Sequence, residues 1–175
     1  SGTNQPIANA EISLSGQFND IDANFDSLVA PNALGTATFP IPAIGTYTLK
    51  IVDPSGLHQV FTYEKTFSTL TSNVNAPTSY SPAPAGILSV TVTSGQTKVA
   101  GAVVHLLNAD EEIGLATADQ NGVAVIKAVE PNEYTMWVGG PLGSPLRDST
   151  PKSVTITEGV TTSVSQALVS GLTIS

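Results

Sequence analysis

Hydrophobic and polar residues alternate with a period of two along much of this chain. The pattern is clear in residues 87–93, where Leu88, Val90 and Val92 alternate with serine and threonine. Such alternation predicts a β-strand with one buried side and one solvent-facing side. The same pattern predicts further strands at 103–107, 123–127, 134–138, 154–157 and 162–168. No stretch keeps a 3.6-residue helical period over more than a turn or two, so we expect an all-β protein.

Turn-forming residues separate the predicted strands. Residues 119–122 read Asp-Gln-Asn-Gly, in which Asn121 and Gly122 tolerate a positive φ angle. Many short strands between such turns are typical of β-sandwiches.

The chain repeats itself. Residues 35–51 match residues 122–138, and Gly35 and Tyr47 recur 87 positions later as Gly122 and Tyr134. A strand predicted at 66–71 matches 153–157 at the same spacing. We therefore predict two tandem sandwiches, domain 1 at 1–74 and domain 2 at 86–168. Three prolines make the stretch between them, 75–85, an extended linker.

The two ends of the chain read as halves of one broken strand. Joined tail to head, residues 171–175 and 1–14 match the unbroken stretch 90–106. We therefore expect domain 1 to lack its first strand and residues 169–175 to be a spare one. In this alignment Leu172, Thr173 and Ile174 take the places of Val90, Thr91 and Val92, so the buried and exposed sides are kept. A competing alignment pairs Gly171 with Gly86 but exchanges the buried and the exposed side of the strand.

A sandwich that lacks a strand exposes an edge and part of its core. We expect a donor segment, Leu172, Thr173 and Ile174, to fill that place in another subunit by β-augmentation. The acceptor edge is predicted to be the strand of Ile12 and Leu14, or the strand of Phe67 and Leu70. Because tail and acceptor are different surfaces, the contact generates a filament unless its rotation closes.

Other interpretations remain open at this point. The chain is also consistent with a segment of a long covalent tandem-repeat stalk, with a tail that folds back into its own first domain, and with a disordered tail. A carbohydrate-binding accessory module of a secreted protein is a further alternative. That module predicts a monomer with an exposed aromatic row, and the aromatic content of 6% offers little material for one.

Three stretches of the second copy resemble the transthyretin-like superfamily: 100–106, 119–122 and 131–136. In the first copy, 6–14 and 44–47 carry the resemblance. The superfamily includes the CnaB-type stalk repeats and the carboxypeptidase-regulatory-like domains. The resemblance implies immunoglobulin-like β-sandwiches and leaves function open. Some stalk domains of this type form a Lys–Asn isopeptide bond, which we do not expect because 88–93 contains no lysine and 161–168 no asparagine.

The composition of the chain limits the classes of function that we expect. Charged residues make up 11% of the chain, and the net charge is −8. So few lysines and arginines argue against nucleic acid, whose phosphates they would have to neutralise. No cysteine is present, which excludes disulfides and thiolate metal sites. The sequence contains no apolar run of about 18 residues, so we expect no membrane-spanning segment. Low lysine content and strands rich in threonine and serine favour an extracellular or cell-surface protein.

An acidic cluster in the first copy has the spacing of oxygen ligands. Asp20, Asp22, Asn24 and Asp26 occupy every second position, as the first ligands of a calcium loop do. Phe25 and Pro31 stand where an EF-hand has glycine and glutamate, so the motif is not an EF-hand. The cluster lies in an insertion relative to the second copy. We expect either a calcium site or a solvated acidic loop.

Catalysis and sugar binding find little support. His58 and His105 lie in strand-like surroundings, and we interpret them as core or surface histidines, so no enzyme is expected. Tyr47, Tyr134, Met136 and Trp137 are interpreted as packing residues. Serine and threonine beside proline at 78–81 are candidate acceptors of O-linked glycans, although a plain proline linker is the preferred interpretation.

Overall fold

The computed structural model describes residues 6–18, 24–69 and 83–171. The described residues form β-strands, turns and loops, which confirms the predicted all-β fold. The chain divides into two compact units, Ser1–Ala83 (unit 1) and Pro84–Ser175 (unit 2). Within the described ranges, no helix is long and apolar enough to cross a membrane.

Unit 1 contains one four-stranded antiparallel sheet among its described residues. The strands are β1 (Glu11–Phe18), β2 (Asn24–Val29), β3 (Gly45–Val52) and β4 (Phe61–Phe67), in the order β2-β1-β3-β4. Leu14, Tyr47 and Phe67 form the buried centre of its inner face. The opposite face carries serine, threonine and charged side chains, as the period-two pattern requires.

Unit 2 is a complete sandwich of two sheets. Its strands are β5 (Gly86–Ser94), β6 (Thr97–Lys98), β7 (Val103–Asn108), β8 (Glu111–Thr117), β9 (Val123–Val129), β10 (Asn132–Gly139), β11 (Lys152–Ile156) and β12 (Thr161–Ala167). One sheet has the order β11-β10-β7-β8. In the other, β5 is central, with β12 parallel on one edge and β9 and β6 antiparallel on the other.

The core of unit 2 lies between these two sheets. Leu88, Val90 and Val92 of β5 belong to one buried cluster with Val104, Leu106 and Met136 of the facing sheet. Burial of each such side chain contributes roughly 1.5–3 kcal/mol. The central strand β5 therefore supplies three of the residues that hold the two sheets together.

The sheet of unit 1 repeats one sheet of unit 2 strand for strand. In the order β2-β1-β3-β4, each strand corresponds to one of β8-β7-β10-β11. The cross-strand pairs agree as well: Leu14 faces Leu49 as Leu106 faces Met136. Two local motifs are shared. The Asn32 side chain caps a turn as Asp119 does, and Tyr47 donates to a backbone carbonyl four residues earlier as Tyr134 does.

Three sequence-based predictions of strands and boundaries differ from the structure. Strand β4 ends at Phe67, so the strand predicted at 66–71 lies several residues earlier in the chain. Strand β8 was not predicted, since it begins with two exposed acidic residues, Glu111 and Glu112. The predicted linker 75–85 reaches into unit 2, because Ala85 is buried and its carbonyl accepts a hydrogen bond from Gly159 N–H.

Candidate functional site

The described part of unit 1 contains no strand in the place that β5 holds in unit 2. In unit 2, β5 joins β9 to β12 and faces the sheet β11-β10-β7-β8. The equivalent sheet in unit 1 is present, and the residues that correspond to β12 lie outside the described ones. We call the place that corresponds to β5 the open position.

One flank of the open position is residues 36–42, which we call the acceptor segment. It corresponds to the start of β9, since Gly35 and Gly122 end matching turns with φ angles of 74° and 70°. Its side chains alternate between partly buried and exposed, with Ala37, Phe39 and Ile41 on the buried side. Phe39 and Ile41 pack against the core of unit 1. The acceptor segment thus has the side-chain alternation of a strand but is not part of any sheet.

Matched core residues are more exposed in unit 1 than in unit 2. Ile12 and Leu14 are each 8% exposed, whereas their counterparts Val104 and Leu106 are fully buried. Leu49 is only partly buried, whereas its counterpart Met136 is fully buried. These residues occupy equivalent pairs in equivalent sheets, so the difference reflects what covers each sheet.

Aromatic side chains fill part of the inner face of the sheet in the described part of unit 1. Tyr47 makes edge-to-face contacts with Phe18 and Phe67, at centroid distances of 6.4 and 5.7 Å. The Tyr47 ring lies over Gly16, its cross-strand partner, where a β-carbon would collide with it. The Tyr47 hydroxyl donates to Ala43 O at 2.8 Å. Unit 1 therefore keeps a small aromatic core of its own on the face that borders the open position.

The structure corrects the predicted acceptor edge. Strand β1, with Ile12 and Leu14, pairs with β2 on one edge and β3 on the other, so it has no free edge for another strand. Its side chains instead form the floor that a strand in the open position would cover. Phe67 ends β4, whose counterpart β11 lies at a sheet edge and not beside β5. Leu70 lies outside the described residues.

The predicted donor residues Leu172, Thr173 and Ile174 lie outside the described residues, and the segment just before them is described. Arg147 N–H donates to Val169 O at 2.9 Å, and Gly171 N–H donates to Pro145 O at 2.6 Å. Leu146 and Ser170 form an isolated antiparallel bridge between them. Residues 169–171, predicted as the start of the donor strand, are therefore held by unit 2.

The predicted calcium ligands are only partly described. Asp20 and Asp22 lie outside the described residues, and Asn24 begins β2. Asp26 is exposed on the outer face of the sheet, opposite Ser15. It borders an open polar depression together with Ser15, Gln17, Thr46, Thr48 and Glu64. Among the described residues, no group of three or more acidic, histidine or cysteine side chains could hold a metal. The calcium site stays a prediction.

A buried carboxylate beside His58 was missed by the sequence reasoning. Asp53 Oδ2 lies 2.7 Å from His58 Nδ1 and 2.6 Å from Ser55 Oγ. Burial raises the pKa of Asp53, but the hydrogen bonds from Ser55 and His58 together outweigh it and lower the pKa. The Ser55 hydroxyl is bonded to the carboxylate and not to the imidazole, so this is not the geometry of an activated nucleophile. The Asp-Pro-Ser-Gly turn was the available signal.

A second histidine cluster lies on the outer face of unit 2. The His105 and Trp137 rings stack at 3.8 Å with 3° between their planes. His105 Nδ1 lies 2.5 Å from Glu112 Oε2. Since His105 and Trp137 are cross-strand neighbours of β7 and β10, this stack acts as a packing pair of the sheet. One face of the only tryptophan is thereby covered.

Comparisons with known proteins find only distant structural similarities. No protein-family model and no curated protein matches the chain. A minor pilin of Streptococcus agalactiae is 16% identical over 98% of this chain and 87% of its own, with a TM-score of 0.42. A shaft pilin of Lactobacillus rhamnosus GG is 9% identical over 100% and 94%, with a TM-score of 0.46. A pilus 2b backbone protein of group B streptococcus is 12% identical over 95% and 83%, with a TM-score of 0.44. Similarity at this level does not extend to function.

Proposed function

We propose that this protein is a structural subunit of an extracellular fibre or stalk, in which the C-terminal segment of one subunit enters the open position of the next. The main observation behind this proposal is the comparison of unit 1 with unit 2. Unit 2 has a β5 between β9 and β12, whereas unit 1 offers the matching sheet and an unpaired acceptor segment. A strand from outside the described part of unit 1 would complete the same sandwich.

The occupant we propose is Leu172–Ser175 of a second copy. Leu172 and Ile174 have the spacing of Val90 and Val92, two fully buried residues of β5. In the open position they would cover Leu14 and Leu49, and each would contribute roughly 1.5–3 kcal/mol by burial. Backbone hydrogen bonds to the acceptor segment would add to this.

The attachment of residues 169–171 to unit 2 supports this role. Because their backbone is bonded to Pro145 and Arg147, a donor segment that begins at Leu172 would start from a fixed point. A short, fixed connection lowers the entropy that a donor segment loses on binding. Donor and acceptor lie on different units of the chain, so repeated contacts join subunits head to tail.

Deletion of residues 172–175 tests the proposal. We expect the full chain to form fibres that denaturant dissociates into single chains, and the deletion variant to remain a folded monomer. Size-exclusion chromatography, electron microscopy and intact mass under denaturing conditions provide the readouts. Fibres that form equally well without residues 172–175 would contradict the proposal. A denatured mass of several joined chains would favour the covalent tandem array instead.

A further inference from the structure

The acceptor segment contains two prolines at alternate positions, and their side of the segment can be assigned from unit 2. Immediately before β9, the carbonyl of Gly122 accepts a 2.7 Å hydrogen bond from Val92 N–H of β5. In an antiparallel pair, residues two apart direct their N–H and C=O groups to the same neighbour. Ala124 and Ile126, opposite Val90 and Leu88, therefore also direct theirs toward β5.

The same alternation applies to unit 1. Gly35, Ala37 and Phe39 correspond to Gly122, Ala124 and Ile126 at the 87-residue spacing. The side chains of Ala37 and Phe39 lie on the partly buried side, and for L-residues in one strand direction this fixes the edge to which the N–H groups point. Ala37 and Phe39 thus present their N–H groups to the open position. Thr38 presents its N–H to the opposite edge, and the backbone nitrogens of residues 40 and 42 lie on that same edge.

Pro40 and Pro42 both belong to the outward set, and both are exposed. Proline has no N–H, so these two residues cannot donate to a strand that approaches from the outer edge. Unit 2 modifies the same part of its edge differently. There Lys127 is exposed at the position of Pro40, and the register of β9 shifts beside Ala128, whose φ angle is 57°. Lysine, proline and bulges are all devices that protect sheet edges.

We infer that the acceptor segment accepts one strand on one edge only, and that Pro40 and Pro42 prevent a second strand from adding on the other. The partner is a strand of a second copy, and this inference rests on the proposed function. With Leu172 at the position of Val90, its backbone would pair with Ala37, and that of Ile174 would pair with Gly35. The fibre would then grow head to tail without growing sideways into a continuous sheet.

Two neighbouring proline substitutions test which edge is used. Ala37→Pro removes an N–H that points to the open position, whereas Thr38→Pro removes one that points outward. We expect Ala37→Pro to raise the critical assembly concentration by about tenfold or more, because a donor carbonyl is left unpaired. Thr38→Pro is expected to assemble as the unmodified chain does. Circular dichroism and thermal melting confirm that both variants are folded. Equal effects of the two substitutions, or a larger effect at Thr38, would overturn the inference.

The outer edge is tested by removing its prolines. In a chain with Pro40→Thr and Pro42→Thr, we expect head-to-tail fibres that also associate laterally, seen as bundles by electron microscopy and as increased light scattering. Pro131→Thr, at an exposed turn of unit 2, controls for the loss of a proline. Single fibres without lateral association would refute the protection of the outer edge. If the unmodified chain forms no fibres, the proposed function is wrong. Increased light scattering by the double variant alone would still support the assignment of Pro40 and Pro42 to the outer edge.

Discussion

The backbone N–H of Arg147 donates a hydrogen bond of 2.9 Å to the carbonyl oxygen of Val169. This bond and the adjacent Gly171–Pro145 bond hold the chain against unit 2 immediately before Leu172. The described backbone is thus fixed up to Gly171, the residue before the proposed donor residues Leu172, Thr173 and Ile174.

The inward side chains are predicted to be Leu172 and Ile174. We expect Leu172→Ala and Ile174→Ala each to raise the critical assembly concentration by about thirtyfold or more, which corresponds to the loss of about 2 kcal/mol for a truncated core side chain. Thr173→Ala should change it by less than about threefold. Sedimentation of fibres against protein concentration gives these values. A larger effect at Thr173 than at its neighbours would indicate the register that pairs Gly171 with Gly86.

The turn that contains Asp53 is predicted to make unit 1 sensitive to acid. The pKa of Asp53 is lowered from 3.8 in the folded unit. A carboxylate with a lowered pKa stabilises the fold above its unfolded pKa, and this contribution is lost as pH falls through the folded value. Unit 1 should therefore lose stability below about pH 3.8. Amide hydrogen exchange as a function of pH resolves this unit from the other.

Substitution at Asp53 should act in the same direction at neutral pH. Asp53→Asn is expected to lower the free energy of unfolding of unit 1 by about 1–3 kcal/mol, because a buried acceptor for Ser55 and His58 is lost. Asp110→Asn, at an exposed turn of unit 2, is the matched control and should have little effect. Equal effects of the two substitutions would argue against a stabilising role of the cluster.

The two tyrosine hydroxyls provide a test of the internal repeat. Tyr47 and Tyr134 each donate a 2.8 Å hydrogen bond to the carbonyl of the residue four positions earlier. We expect Tyr47→Phe and Tyr134→Phe to cost about 0.5–1.5 kcal/mol each, in unit 1 and unit 2 respectively. Urea unfolding followed by hydrogen exchange separates the two. A cost in one unit alone would show that the shared motif is not energetically equivalent.

Burial and the charge of Glu130 also raise the pKa of Tyr134 above 10.0. Since the fold favours the neutral phenol, the contribution of Tyr134 to the stability of unit 2 is fully present below the unfolded pKa and is lost as pH rises through the folded value. Tyr134→Phe should remove this alkaline dependence. Fluorescence of Trp137, the only tryptophan, follows unit 2 selectively.

Period-two alternation was sufficient to predict most of unit 2. Leu88, Val90 and Val92 face the core on one side of the strand only. The alternation of residues therefore predicts both the strand and its buried face. Strand β8 was missed because Glu111 and Glu112 open it on an exposed edge, where side chains are not selected for burial. An edge strand carries a weaker pattern than a central one.

The acceptor was harder to predict because strand neighbours are not adjacent in sequence. Ile12 and Leu14 alternate clearly, but alternation does not reveal that β2 and β3 occupy both edges of β1. Prolines such as those at 40 and 42 do not indicate a strand in a sequence, since proline is excluded from paired positions. Only the register of β9 against β5 shows that both fall on the outward edge. The Asp53 cluster likewise depends on a turn that brings His58 back to the carboxylate.

The capped turns of the two units use different capping residues, an asparagine in unit 1 and an aspartate in unit 2. Each residue can therefore be substituted by the other as a test. Asn32 Oδ1 accepts from Leu34 and Thr36 N–H at 2.9 and 3.0 Å, and Asp119 Oδ1 accepts from the equivalent residues of unit 2 at 2.8 and 2.9 Å. The N–H of Val123 is the main cause that lowers the pKa of Asp119. An amide oxygen can accept the same bonds but does not titrate.

Asp119→Asn should therefore preserve the stability of unit 2 at neutral pH and remove the acid dependence that Asp119 contributes as pH falls below 3.8. Asn32→Asp should introduce such a dependence into unit 1. Asp119→Ala, which lacks the acceptor, is expected to destabilise unit 2 across the whole pH range because the N–H groups of Asn121 and Val123 lose their partner. Thermal melts followed by Trp137 fluorescence between about pH 7 and about pH 2 measure the effect in unit 2. If Asp119→Asn destabilises unit 2 at neutral pH as much as Asp119→Ala does, the charge of Asp119 and not its geometry stabilises the turn.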